Sequence, residues 1–164
     1  RPFKTTLGWA KGFVNEGGIR VPMIASWPGK IKSGSKSNQI SAFQDMMPTF
    51  CDIVGIDPPE NIDGISIKAT FLGDYQKVKH DYLYWEFPAY KGQQAVRMGK
   101  WKGIRKNIFE GNMSIELYNL DLDHQEQNNV ALSYPEIVEK ISNIMIEAHY
   151  PSSILRFKFP QLGD

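Results

Sequence analysis

Hydrophobic positions follow two different periods along this chain. Over residues 45–55 they recur at helical spacing, and Asp45 as N-cap puts Pro48 in the first turn, where its missing N–H is harmless. Starting at Ser41, with Gln44 three residues on, would place Pro48 in the helix interior at a cost of roughly 3 kcal/mol. The pattern therefore predicts a helix with Phe50, Ile53 and Val54 on one flank, stopped by Gly55, and a structural role for Asp45.

From Asp81 the period becomes alternating. Residues 81–87 predict a strand with Leu83, Trp85 and Phe87 on one face, and residues 94–105 a hairpin turning at Gly99-Lys100. A two-residue turn sets Met98 opposite Trp101, Val96 opposite Gly103 and Arg97 opposite Lys102. That last like-charge pair is unfavourable unless its face is wet or meets an anion. Residues 115–120 predict a fourth strand with Ile115 and Leu117 inward. Ser133 and Glu136 form a capping-box pattern, with Pro135 in the first turn. The stripe of Ile137, Val138, Ile141, Ile144, Met145 and Ala148 must then cover a sheet face. The fold class is α+β: a small four-stranded antiparallel sheet packed by a C-terminal helix.

Upstream, β-branched enrichment over residues 19–27 predicts a strand near a sheet edge or starting after Pro22. Residues 1–10 read as loop, and residues 29–38, with three lysines, three serines and two glycines, as a polar surface loop. Asp57-Pro58-Pro59 and the Asp63-Gly64-Ile65-Ser66 turn mark a boundary, which divides the chain into residues 1–56, a linker at 57–75, and residues 76–164.

Composition narrows the function classes. A chain of 164 residues with 41% hydrophobic content buries one ordinary core. Its net charge of +1 supplies no field for gripping nucleic acid, and its longest apolar run is far short of a membrane span. The basic hairpin of Lys100, Lys102, Arg105 and Lys106 reads as a wet charged face. The lone Cys51 rules out an internal disulfide and, within Phe50-Cys51-Asp52, reads as a small core residue. His80, His124 and His149 lack metal-site spacing and read as surface or capping residues. The Asp121/Asp123 turn lacks the closing Glu of a calcium loop.

The densest chemistry lies in Lys11-Gly12-Phe13-Val14-Asn15-Glu16-Gly17-Gly18, followed by Ile19-Arg20-Val21-Pro22. A lysine five residues before a carboxylate, with glycines that let backbone come close, describes a loop delivering a cation beside a sheet end, suited to an oxyanion. This segment resembles the Lys-Gly-x-x-x-Glu-Gly-Gly-Ile-Arg-Val-Pro stretch of the arylsulfatase-type, formylglycine-dependent sulfatases of the alkaline phosphatase superfamily. The Tyr84-Trp85-Glu86-Phe87 run, Gln94 to Lys102, and Glu116-Leu117-Tyr118-Asn119-Leu120 resemble the C-terminal subdomain of the same family, with bacterial glycan sulfatases the closest-looking branch.

The resemblance implies that the chain is a C-terminal piece, trimmed or processed, of an enzyme hydrolysing sulfate esters on a carbohydrate or glycosaminoglycan. Residues 1–56 would be the remnant of the catalytic α/β domain, with the 19–27 strand and the following helix detached from an alkaline-phosphatase-like sheet. Lys11 would contact the sulfate, with Glu16 and Arg20 as structural support through a buried ion pair. Tyr90 and Lys91, in a turn that departs from related glycan sulfatases, are candidate sugar contacts. The implied formylglycine and calcium have no motif here, since Cys51 is followed by Asp52-Ile53 rather than x-Pro-Ser-Arg. The implied partners are a sulfated carbohydrate, the N-terminal sulfatase domain and, through an exposed strand, a second copy. The implied compartment is periplasmic or extracellular. Two rivals stand beside this reading: a non-catalytic module binding anionic glycans, and a phosphate- or phosphonate-ester hydrolase of the same superfamily.

Overall fold

The computed structural model describes residues 11–164, so the loop expected over residues 1–10 lies outside the described residues. In chain order the elements are α1 (Glu16–Ile19), α2 (Met46–Val54), α3 (Lys68–Leu72), β1 (Leu83–Phe87), β2 (Gln93–Met98), β3 (Trp101–Lys106), β4 (Glu116–Asn119) and α4 (Pro135–Glu147). They fall into two compact units, one made of the residues up to Val21 with Tyr82–Asp164, the other of Pro22–Asp81.

In the first unit the four strands pair antiparallel in the order β1-β2-β3-β4. The hairpin register is the one its two-residue turn dictates: Met98 faces Trp101, Val96 faces Gly103 and Arg97 faces Lys102. Gly99 supplies the positive φ, +57°, that such a turn needs. Alternation gives the sheet two faces, and both are covered. On one, Val96, Ile115 and Leu117 pack against Ile141, Ile144 and Met145 of α4. Gly103 lets the helix come close, because a Cβ there would stand 2.6 Å from Ile141 Cγ2. On the other, Ala95, Ile104, Tyr118 and Leu120 form a second cluster with Val14, from the segment that precedes α1. The α4 stripe is the expected one, but Ser133 lies in a 3-10 turn, Ala131–Ser133, and caps nothing through its side chain.

The second unit is built around Asp45, which is wholly buried. Asp45 precedes α2, Pro48 falls in the first turn, and Gly55 closes the helix at φ +76°. The Asp45 carboxylate accepts hydrogen bonds from Ala42 N at 2.7 Å and Ile65 N at 2.9 Å, and pairs with His80 Nε2 at 2.8 Å. Thr49 Oγ1 receives Ile67 N at 2.9 Å, so the 63–67 turn is laid along α2 by side chains of the helix itself. His80 is thus an interior partner rather than a surface residue. Cys51 is buried, as its neighbours suggest.

No strand forms over residues 19–27. Ile19 ends the single turn α1, whose Gly18 and Ile19 amides return to Asn15 O, and Val21, Met23 and Ile24 stand exposed. A strand exists through ladder hydrogen bonds to a neighbour, and no described strand runs alongside to supply them.

Candidate functional site

Lys11 is exposed, on a loop that the sheet unit grips at alternate residues. Gln93, at the start of β2 and 1% exposed, donates from Nε2 to Gly12 O at 3.2 Å and to Ala89 O at 3.3 Å, and its Oε1 accepts from Val14 N at 3.4 Å. One amide side chain thereby ties the lysine loop to the turn between β1 and β2. Gly12, at φ +96°, lies so close to that turn that a Cβ would stand 2.6 Å from Tyr90 Cε2. The Tyr90 ring stacks on Phe13, with centroids 4.7 Å apart and planes 16° from parallel. The structure therefore brings Tyr90 beside the Lys11 loop, two residues that the sequence separates widely.

Tyr90, Lys91 and Gly92 all take positive φ, +51°, +71° and +79°. Two consecutive non-glycine residues in the left-handed region are costly and persist only where surroundings over-determine them. Here Gly92 N bonds Ala89 O, Phe109 N bonds Lys91 O at 3.0 Å, and Ile108 N bonds Gly92 O at 3.2 Å. Phe159, from the C-terminal tail, packs on Phe109 at 5.1 Å between centroids. Lys91 Nζ meets Glu110 Oε1 at 2.7 Å with both groups well exposed, a pair worth about 0–1 kcal/mol and readily exchanged for another anion.

Beneath the loop lies a buried charge cluster. Glu16, 2% exposed, receives Lys102 Nζ on Oε1 at 2.9 Å, while Arg97 Nη1 stands 3.7 Å from its Oε2. Lys102, on β3, is fully buried and also meets Glu126 Oε1 at 3.1 Å. Glu126 Oε2 in turn accepts the Glu16 backbone N–H at 2.9 Å. The anion required opposite the Arg97–Lys102 pair is thus Glu16 of the Lys-Gly motif. Two expectations change. The hairpin is not a wet charged face: Lys102 and Arg105 are buried and Lys106 Nζ pairs with Glu116 at 2.7 Å, while Lys100 stays exposed. The buried ion pair of Glu16 is made with Lys102, whereas Arg20 is 57% exposed and 3.9 Å away. No local motif marks Gln93, Lys102 or Glu126 as a site residue. The like-charge register was the one available signal, for Lys102.

A second polar cluster ties the tail to the α4 face of the sheet. His149 stands 2.6 Å from Glu86 Oε2 through Nδ1 and 2.6 Å from Asp164 Oδ1 through Nε2; Asp164 Oδ2 also accepts Phe159 N at 2.8 Å. Tyr84 bonds Glu86, and Gln94 bridges Tyr84 to Arg105. His149 is therefore no surface residue. Burial by itself would lower its pKa, but the bonds to Glu86 and Asp164 outweigh that and raise it. Asp164 is lowered, first by the Phe159 N–H and then by His149. A raised histidine adds stability that is complete below its unfolded pKa, about 6.5, and lost as pH climbs through the folded value. A lowered aspartate adds stability that is complete above about 3.9 and lost as pH falls through the folded value. The melting temperature is expected to decline as pH rises above about 6.5, and His149→Gln to flatten that decline. An identical pH slope in the variant would refute the assignment.

Neither implied cofactor fits the residues present. Among the described residues no three His, Cys, Asp or Glu side chains stand together as a metal site, and Cys51 is interior to α2 without a formylglycine motif around it.

A family profile described as N-sulphoglucosamine sulphohydrolase, C-terminal, matches residues 7–150. The N-acetylglucosamine-6-O-sulfatase of Bacteroides thetaiotaomicron is 33% identical over 133 residues, covering 75% of this chain and 23% of that protein. The crystal structure of Ps i-CgsB matches with a TM-score of 0.76 at 26% identity, over 87% of this chain and 32% of its own. The structure of BT4656 with its substrate D-glucosamine-2-N,6-O-disulfate matches with a TM-score of 0.60 at 26% identity, over 74% of this chain and 26% of its own. The chain thus spans less than a third of these relatives.

Proposed function

Since this chain belongs to the family of N-sulphoglucosamine sulphohydrolase C-terminal regions, we propose that it is the C-terminal part of a sulfatase hydrolysing sulfate esters on a glycan, with Lys11 as its contribution to the active site. The observation that carries this reading is the lysine loop: its ammonium is exposed while the backbone behind it is tied at Gly12, Val14 and Glu16 by buried groups of the sheet unit. A cation held in place before reaction, rather than recruited, is what stabilises charge building on the oxygens of a transferring sulfuryl group. Tyr90, stacked on Phe13 and 58% exposed, offers a flat ring for a sugar, and Lys91 an ammonium for a sulfate or carboxylate that displaces Glu110.

Relatives named for N-acetylglucosamine-6-O-sulfate and for D-glucosamine-2-N,6-O-disulfate favour a sulfated hexosamine as substrate class. The nucleophile and metal then belong to other polypeptide, the N-terminal sulfatase domain, of which residues 1–56 are the last part, with 57–75 leading to the C-terminal subdomain. The helical unit supports that partner. Met47, Phe50 and Val54 are 55%, 57% and 67% exposed, so an apolar flank of α2 faces outward, continued by Phe43 just before the helix, as a surface awaiting a neighbour does. No helix among the described residues is long and apolar enough to cross a membrane, and export to the periplasm or medium fits glycan substrates.

The test is turnover of an aryl sulfate and of glucosamine 6-sulfate by the polypeptide that joins this stretch to a nucleophile-bearing domain. Lys11→Ala is expected to lower kcat by about 10²–10³, the cost of removing one preorganised charge-stabilising group. The 164-residue chain alone should match a heat-killed control. Wild-type turnover by Lys11→Ala, or turnover by the chain alone, would sink the reading.

A further inference from the structure

The lysine loop is held at Gly12 and Val14 by a neutral amide, but at Glu16 by charge. Glu16 is gripped twice, its backbone N–H by Glu126 Oε2 at 2.9 Å and its carboxylate by Lys102 Nζ at 2.9 Å, while Lys102 and Glu126 meet each other at 3.1 Å. The Lys102–Glu126 side is an ionic contact without a hydrogen bond to Glu126 Oε1, and all three side chains are 2% exposed or less. Two carboxylates and one ammonium leave a negative charge, which Arg97, 3.7 Å from Glu16, offsets. Buried ion pairs are poor sources of net stability, since well-packed apolar groups of similar size often serve as well. They differ from apolar contacts in direction: an ionic hydrogen bond admits one register, whereas an apolar contact can slide.

We propose that Lys102 and Glu126 are positioning residues for Lys11, forming an ionic latch in the C-terminal sheet that sets where the motif's ammonium is presented. Releasing Glu16 leaves the loop held at Gly12 and Val14 by Gln93 alone, so the backbone behind Lys11 loses one of the three ties that fix it. The latch explains why the motif pairs its lysine with a glutamate that is buried, and it makes the C-terminal sheet part of the machinery of the reaction. The step from latch to catalysis rests on the assignment of Lys11 above; the latch itself does not.

Two measurements test it. In the 164-residue chain, amide hydrogen exchange is followed at Val14, Gly18 and Ile19, with Ile144 and Met145 of α4 as internal reference. The double variant Lys102→Met/Glu126→Gln removes one charge of each sign and leaves Glu16 only the longer ionic contacts with Arg97 at 3.7 Å and Arg20 at 3.9 Å. Exchange at the loop amides is expected to rise at least tenfold with the α4 amides within twofold. If α4 also loses protection, Glu16→Gln decides, because it leaves the Lys102–Glu126 pair in place; the same local tenfold rise is expected. Unchanged loop exchange in either folded variant overturns the latch. In the complete sulfatase, Glu16→Gln is expected to lower kcat at least tenfold in the wild type and by less than twofold in the Lys11→Ala background, since it acts through that lysine. An equal factor in both backgrounds overturns the positioning role. A polypeptide without sulfatase activity would fail the function proposed above and leave the latch to be judged by exchange.

Discussion

Lys102→Met is expected to destabilise the sheet unit by about 3–5 kcal/mol, the range for deleting one partner of a buried charge pair. The side chain is fully enclosed, with Glu16 Oε1 at 2.9 Å, Glu126 Oε1 at 3.1 Å and the Trp85 ring centroid at 6.0 Å. Methionine fills similar volume, so the loss is electrostatic: two carboxylates stay behind in a site closed to solvent, with Arg97, 3.7 Å from Glu16, to offset one of them. Urea titration followed by tryptophan fluorescence reads the change, because Trp85 and Trp101 both lie in this sheet. Adding Glu126→Gln to Lys102→Met should recover much of the loss, since Glu16 then faces Arg97 at 3.7 Å and the site is neutral again. A single-variant loss below about 1 kcal/mol would show that the ammonium is not what the carboxylates depend on.

The second large effect is expected at Gly64. A Cβ there would stand 2.1 Å from Gln44 O and 2.6 Å from Gln44 C, and neither atom can swing aside as a side chain would. Gly64→Ala must therefore lift the 63–67 turn from the start of α2. That breaks Ile65 N to Asp45 Oδ1 and Ile67 N to Thr49 Oγ1, and leaves the buried Asp45 short of one donor. One charged and one neutral hydrogen bond lost from the interior, with the penalty of the unsatisfied carboxylate, come to about 3–5 kcal/mol. Hydrogen exchange at Ile65 and Ile67 should rise toward the rate of an unfolded chain. Retained protection at both amides would mean that the turn accommodates the methyl group.

These two sites show how far a single sequence can be read. The Asp-Gly-Ile-Ser turn was visible as a breaker and Asp45 as the structural residue before α2, because both are matters of local geometry, although the Asp45 carboxylate bonds Ala42 N and Ile65 N rather than the first turn of α2. The docking of one on the other was not, since residues 45 and 65 meet only after the intervening chain has turned back. Tyr90 and Lys91 were legible as an exposed turn, whereas their left-handed backbone depends on Ile108, Phe109 and the distant Phe159. The expectation of a strand at 19–27 failed because β-branched composition states a preference that only a paired neighbour can realise.

Repeat and spacing were enough for the alternation of β1 to β4, the hairpin register at Gly99, the stripe of α4 and the Lys-Gly motif. All of these rest on residues within a few positions of one another, where backbone geometry sets which side chains share a face. Which charges are buried was settled only by the folded arrangement. Glu16 and Lys102 are 86 positions apart, and whether a lysine is solvated or locked depends on which carboxylate the finished fold brings within hydrogen-bonding reach of it. No local period carries that information, because an ion pair is a property of two places in space rather than of either stretch of chain.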